Sequence, residues 1–247
     1  MRISYAERWG RAPTSKRSPG SAQRTLDEAP TRGRGGRREG AGRPAGERPR
    51  VRHVARPKHS KWCPVHVTLR RAKGLPSLRE ELLHRELTNA IRATRREGFR
   101  IVQYSVQADH VHLVIEAESA SVLSSGMRSF AVRVAMRVNR RVLRRRGHVW
   151  GDRYHRRDLT SPKEVRHALV YVLANHLKHR EPNVGLLDPL SSGPWFTGWM
   201  HTRWPPPTEP PSTEAADTWL LRRGWHERGG GFLHLGERPK AARERRG

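Results

Sequence analysis

The sequence predicts an α+β fold, an antiparallel sheet carrying helices on one or both faces and flanked by disordered tails. Three observations predict it. Alternating β-branched and apolar residues mark strands at HVTLR, FRIVQYSVQ and HVHLVIEA. Apolar residues at helical spacing mark helices between and after them. Both ends are poor in apolar side chains, and hydrophobic residues make up 34% of the chain, below the globular share of about 45–50% that also counts Gly.

Residues 1–57 are rich in Gly, Pro and Ser, with basic residues outnumbering acidic ones three to one. Too little apolar surface is present to offset the entropy of ordering them, so a disordered basic arm is expected. The first strand spans 65–70. Ser77 then caps a helix running to about Glu97, with Leu78, Leu82, Leu83, Leu87, Ala90 and Ile91 at helical spacing, and Gly98 ends it. Strands over 99–107 and 110–117 follow, broken near Ala108-Asp109. A second helix runs from near Ser121 to about Arg145, with Leu123, Met127, Phe130 or Ala131, Val134, Val138 and Val142 marking one face. Gly147 stops it, and 148–159 reads as extended. Ser161, Pro162 and Glu164 form a helix start, Ser161 as N-cap and Glu164 closing a capping box, with the helix reaching about His179. The order β-α-β-β-α-β-α suggests a ferredoxin-like sheet. Residues 58–182 thus form the predicted domain, and 183–247 a Pro- and Trp-rich extension, partly ordered. Within it RWPPPTEPPSTE reads as a linker, and TWLLRRGW as a short helix packing Trp219, Leu220 and Trp225 on the core.

The formal charge of +27 and pI near 11.7 point to a polyanionic partner, since each neutralised phosphate releases condensed counterions. A single cysteine, Cys63, excludes an internal disulfide framework and any multi-cysteine zinc site. It reads as a small core or edge residue. No apolar run approaches the 18 or so residues of a membrane span, and MRISYAERWGR lacks the apolar core of a secretory signal. A cytoplasmic, bacterial, nucleoid-associated setting is expected.

In HVHLVIE, alternation puts His110 and His112 on one sheet face and Val111, Leu113 and Ile115 on the other. Two imidazoles so placed can share a divalent ion; they can also be a chance pair in a histidine-rich chain. On the helix after Ser161, Tyr171 and Asn175 lie four apart, on one face and off the apolar stripe. Read alone, the tyrosine is a packing residue or a nucleophile, and Asn175 a solvated polar residue or a ligand.

Taken in order, HVTLR, FRIVQYSVQADHVHLVIE, GHVWGDRYHRRDL and VRHALVYVLANHLKHR resemble the small single-tyrosine HUH transposases of bacterial insertion sequences, and among them the REP-associated tyrosine transposases. The resemblance covers about residues 60–182. It implies the HUH endonuclease/transposase fold, with His110, His112 and Asn175 as ligands of a divalent metal, Mg or Mn, that polarises a phosphodiester of single-stranded DNA. It also implies Tyr171 as the nucleophile that forms a 5′-phosphotyrosyl link and frees a 3′-OH. The partner it implies is single-stranded DNA with hairpin or repeat ends. Monomer and homodimer are both open. One departure is Asp109, where REP-associated members usually carry Asn; it is read as ending the preceding strand, with contact to a ligand histidine as the alternative.

For DNA contact, Arg128, Arg133 and Arg137 form a basic helix face that is either a backbone track or merely solvated. In HVWGDRYHRRDL, Trp150 and Tyr154 alternate with Arg153, Arg156 and Arg157, a pattern suited to unstacked bases and phosphates or to an ordinary strand with outward charges. Two other functions compete with an active strand transferase. One is a catalytically silent single-stranded nucleic-acid binder of the same fold; the other, resting on charge alone, is a structural RNA-binding protein.

Overall fold

Four strands, β1 (Val65–Arg70), β2 (Phe99–Val106), β3 (His110–Ala117) and β4 (His155–Asp158), form one antiparallel sheet in the order β2-β3-β1-β4. This is the strand order of a ferredoxin-like α+β fold. The computed structural model describes residues 58–179, 185–200, 205 and 207–239; the expected basic arm over 1–57 lies outside them. Among the described residues no helix is long and apolar enough to cross a membrane.

The two sheet faces bury different cores. Val65, Val67 and Leu69 of β1 and Val111, Leu113 and Ile115 of β3 face α1 (Glu81–Ala93) and α2 (Ala120–Arg137), which contribute Leu83, Leu87, Ile91, Leu123, Met127 and Phe130. Val114 on the other face of β3 packs with Val165, Leu169 and Val172 of α3 (Pro162–Leu173). A bulge between Ile101 and Gln103 lets Val102 join this second core without breaking the pairing of β2 with β3.

Helix ends depart from expectation where backbone groups found other partners. α1 begins at Glu81, because Ser77 Oγ accepts from Arg79 N in a local turn instead of capping the helix. It ends at Ala93, before a turn through Gly98 at φ +70°. α2 gives way to a π-helical turn over Val138–Val142, and Arg144 lies at φ +47°. Of the extended segment expected over 148–159 only β4 is a strand; Trp150 makes a single bridge to Arg71. Ser161 caps α3 as expected, accepting from Glu164 N, but the Glu164 carboxylate reaches Thr160 N and its hydroxyl rather than Ser161 N. The helix breaks at Ala174 (φ −110°, ψ 18°) and resumes as a short α4 (Asn175–His179).

The extension is built into the domain. Leu190–Ser192 runs along the outer edge of β2, with Val106 N donating to Leu190 O and Ser192 N to Tyr104 O. The described part of the proline run is no free linker. Its carbonyls at Pro210, Pro211 and Thr213 accept from Arg92 and Arg95 of the α1 end, which prolines can do although they lack an N–H. TWLLRRGW forms a π-helical turn over Leu220–Gly224 and a short α5 (Trp225–Glu227). Trp225 and Leu221 are buried, and Leu220 packs against them. Trp219, expected in the core, is instead 44% exposed and carries the Arg228 guanidinium over its ring.

Candidate active site

Register brings the site together. β1 pairs with β3 so that Thr68 lies opposite His112 and Arg70 opposite His110, while Ser105 of β2 flanks His112 from the other side. On the face away from α1 and α2, this aligns His110 and His112 with His66 and Thr68. β4 adds His155 and Arg157, paired with Thr68 and His66. α3 then lays Tyr171 across the face, its ring 5.0 Å from His112 and 5.6 Å from His66, both edge-on. Tyr171 is half-buried, and the Lys178 ammonium lies 5.3 Å from its ring centre.

The imidazoles are wired in a chain. His110 Nδ1 donates to the Asp109 carboxylate at 2.5 Å, since a carboxylate only accepts. That contact leaves a lone pair on Nε2 of the neutral ring, 2.8 Å from His112 Nε2. His112 Nδ1 sits 3.1 Å from Thr68 Oγ1 and 3.2 Å from His66 Nε2. With both rings neutral, His112 Nε2–H donates to His110 Nε2, and the single lone pair on His112 Nδ1 accepts from the Thr68 hydroxyl, with His66 Nε2 close beside it. Asp109 therefore contacts a site histidine as well as closing the turn after β2, which corrects the plainer reading of it. Burial alone would raise its carboxyl, but the His110 bond and nearby Arg70 hold it below the usual range. Burial, with the positive neighbours His155 and Arg157, pushes His66 down to about 4, so it is neutral near pH 7.

Asn175 is completely buried, and neither its amide nitrogen nor its oxygen has a protein partner. A solvated role is thus excluded. Among the described residues no three His, Cys, Asp or Glu side chains group as a metal set. The donor set that the resemblance implies, His110, His112 and Asn175, combines two imidazole nitrogens with an amide oxygen, chemistry that a divalent ion completed by water can accept.

The remaining candidates divide. Arg157 stands on the histidine face, ion-paired with Glu164 at 2.7 Å. Arg128 and Arg133 are exposed on α2, across the sheet from the histidines, and Arg137 is tied to buried Glu86 at 2.8 Å. Trp150 packs near Phe130, its indole N–H donating to Ala131 O, and Tyr154 packs against the same core. Arg156 is 6% exposed and paired with Asp158, whereas Arg153 is exposed. His66, Thr68 and His155 went unseen in the sequence. The HVT motif displayed the first two on one strand face, but only the register between β1 and β3 places them beside His112.

Residues 60–172 match the family described as "Transposase IS200 like". That segment, a little under half of the chain, is similar to the IS200-like transposases. It takes in His66, His110, His112 and Tyr171 and stops short of Asn175. No curated protein matches the chain. Among solved structures, a REP-associated tyrosine transposase bound to a REP hairpin is similar at 18% identity and TM-score 0.48, covering 57% of this chain and 82% of its own. A candidate transposase from Deinococcus radiodurans is similar at 19% identity and TM-score 0.34, covering 53% and 95%.

Proposed function

We propose that this protein is an IS200-like transposase that cleaves and rejoins single-stranded DNA carrying hairpin or repeat ends, with Tyr171 as nucleophile. The observation that carries the reading is the Tyr171 ring lying against His112 and His66 on the sheet face that also holds His110. A packing tyrosine would more economically sit against apolar side chains.

The Tyr171 oxygen attacks phosphorus, the bond from phosphorus to the 3′ oxygen breaks, and that oxygen leaves as a 3′-OH after taking up a proton. The 5′ phosphate stays on the tyrosine. Because one ester replaces another, a second 3′-OH can reverse the step without an external energy source. A phenol, ordinarily titrating at about 10, must shed its proton as it attacks. His110, His112 and Asn175 would hold Mg or Mn, which when bound supplies Lewis-acid polarisation of the phosphodiester. Asp109 and Thr68 orient the two imidazoles. Arg157 offers positive charge to the strand on the same face.

The test is covalent capture on single strands taken from the DNA that flanks the gene. The full chain should form a protein–DNA adduct that resists denaturation, and Tyr171→Phe should form none while binding the strand as well as wild type. Adducts persisting in Tyr171→Phe would reassign the nucleophile, and binding without any wild-type adduct would make the protein a silent binder.

A further inference from the structure

Where the extension folds over β2 and α3, the structure forms a half-open hollow of about 430 Å³ that the chemistry at Tyr171 does not use. That volume is typical of a site for a small flat ligand rather than a packing defect. Val102 and Gln103 of β2 and Leu169 of α3 line one side. Aromatic rings line the other: Phe196 lies 5.6 Å from Trp225, and Trp225 stands edge-on to Phe232 at 5.9 Å. Phe232 stacks on His226 at 4.8 Å and 10°, yet remains 44% exposed. The lining is not purely apolar. The Gln103 amide, the Glu214 carboxyl and the exposed Arg222 also face it.

The cavity shares its sheet face with the active site. Gln103 pairs opposite Val114, and Val114 follows His112 by two residues on one face of β3, about 7 Å along the strand. We propose that this cavity takes one unpaired nucleobase of the DNA strand on which Tyr171 acts. The proposal rests on the single-strand reading given above. Aromatic faces stack on any base. Side-chain amides and carboxylates are the groups that read base edges, and a guanidinium beside them suits the attached phosphate. An aliphatic ligand would leave the Glu214 carboxyl without use, whereas the Gln103 oxygen already accepts from Ser192 Oγ.

The experiment measures equilibrium binding of the full chain to two oligonucleotides of equal length and charge, one of thymidines and one fully abasic. Two variants at exposed lining positions are compared with wild type: Phe232→Ala, which removes a stacking face, and Thr197→Trp, which fills the mouth. Both should weaken binding to the thymidine strand by about five- to a hundred-fold and leave the abasic strand essentially unchanged. Equal losses on both strands, or no loss on the thymidine strand, overturn the proposal. Tyr171 adducts formed by wild type together with such a result would overturn the cavity alone. Failure of wild type to bind the thymidine strand at all would overturn the single-strand reading with it.

Discussion

An imidazole that holds a cation through Nε2 must carry its proton on Nδ1, so the acceptor at Nδ1 sets its readiness. His110 has that acceptor in Asp109. His112 is different, because its Nδ1 faces a hydroxyl and a neutral imidazole, both of which can donate or accept. Cation binding asks the Thr68 hydroxyl to turn from donor to acceptor. Thr68→Val should therefore weaken Mn binding by about ten-fold or more, read by titration calorimetry, with the fold intact; unchanged affinity would show that His66 alone serves. Asn175 argues in the opposite direction. A buried amide without partners costs about 1–3 kcal/mol, so Asn175→Leu should raise metal-free stability while abolishing the stabilisation that added Mn confers. A fall in metal-free stability, measured by thermal melting, would mean the amide is already satisfied. From sequence, His110, His112 and Tyr171 were legible through alternation and motif order. The burial of Asn175 was not, because helical periodicity places a residue on a face without saying what covers that face.

At the scale of elements, α3 depends on its first turn. Burial would raise the Glu164 carboxyl, but Thr160 N–H, Arg157 and the Thr160 hydroxyl outweigh it and hold the group at about 2. A depressed carboxylate stabilises the fold above its unfolded value and loses that contribution as pH falls towards about 2. Glu164→Ala should cost about 1 kcal/mol at neutral pH, and the difference from wild type should shrink through an acid denaturation series and vanish only as pH falls through about 2. α1 carries a second acid-sensitive group. Burial, only partly opposed by Asp188, pushes His84 down to about 4, and its Nε2 has no partner. The unfolded chain therefore binds a proton that the folded one refuses, and stability drains as pH drops from about 6.5 towards 4. Because His66 is held down to about 4 as well, His84→Leu should lessen but not abolish the slope of stability across that window; an unchanged slope would assign the acid lability elsewhere. Strand positions were readable because alternation is local. Helix ends were read less well: Ser77 and Glu164 each bonded one residue away from the expected partner, a choice settled by loop conformation rather than residue type.

Across the whole molecule, three polar clamps lock the extension onto the core. Arg79 grips Asp188 with two bonds, and Arg166 grips Glu237 likewise. Glu116, buried on β3, accepts from Asp217 N, Thr218 N and the Thr218 hydroxyl. Glu116→Ala should cost about 2–3 kcal/mol, seen as a lower urea midpoint. Ending the chain at residue 183 would bare Val102, Val114 and Leu169 and should abolish a cooperative transition; a stable, cooperative fragment would show the extension to be dispensable. Composition marked this region as Pro- and Trp-rich, but docking rests on contacts far apart in sequence, from 71 residues for Arg166 to Glu237 to 109 for Arg79 to Asp188, which no local pattern encodes. The short strip Leu190–Ser192 carries a further consequence. It occupies the outer hydrogen-bonding row of β2, while the opposite margin of the sheet is a four-residue strand, His-Arg-Arg-Asp, whose charges discourage strand addition. Among the described residues, both margins of the sheet are thereby made poor templates for edge-to-edge pairing with another chain.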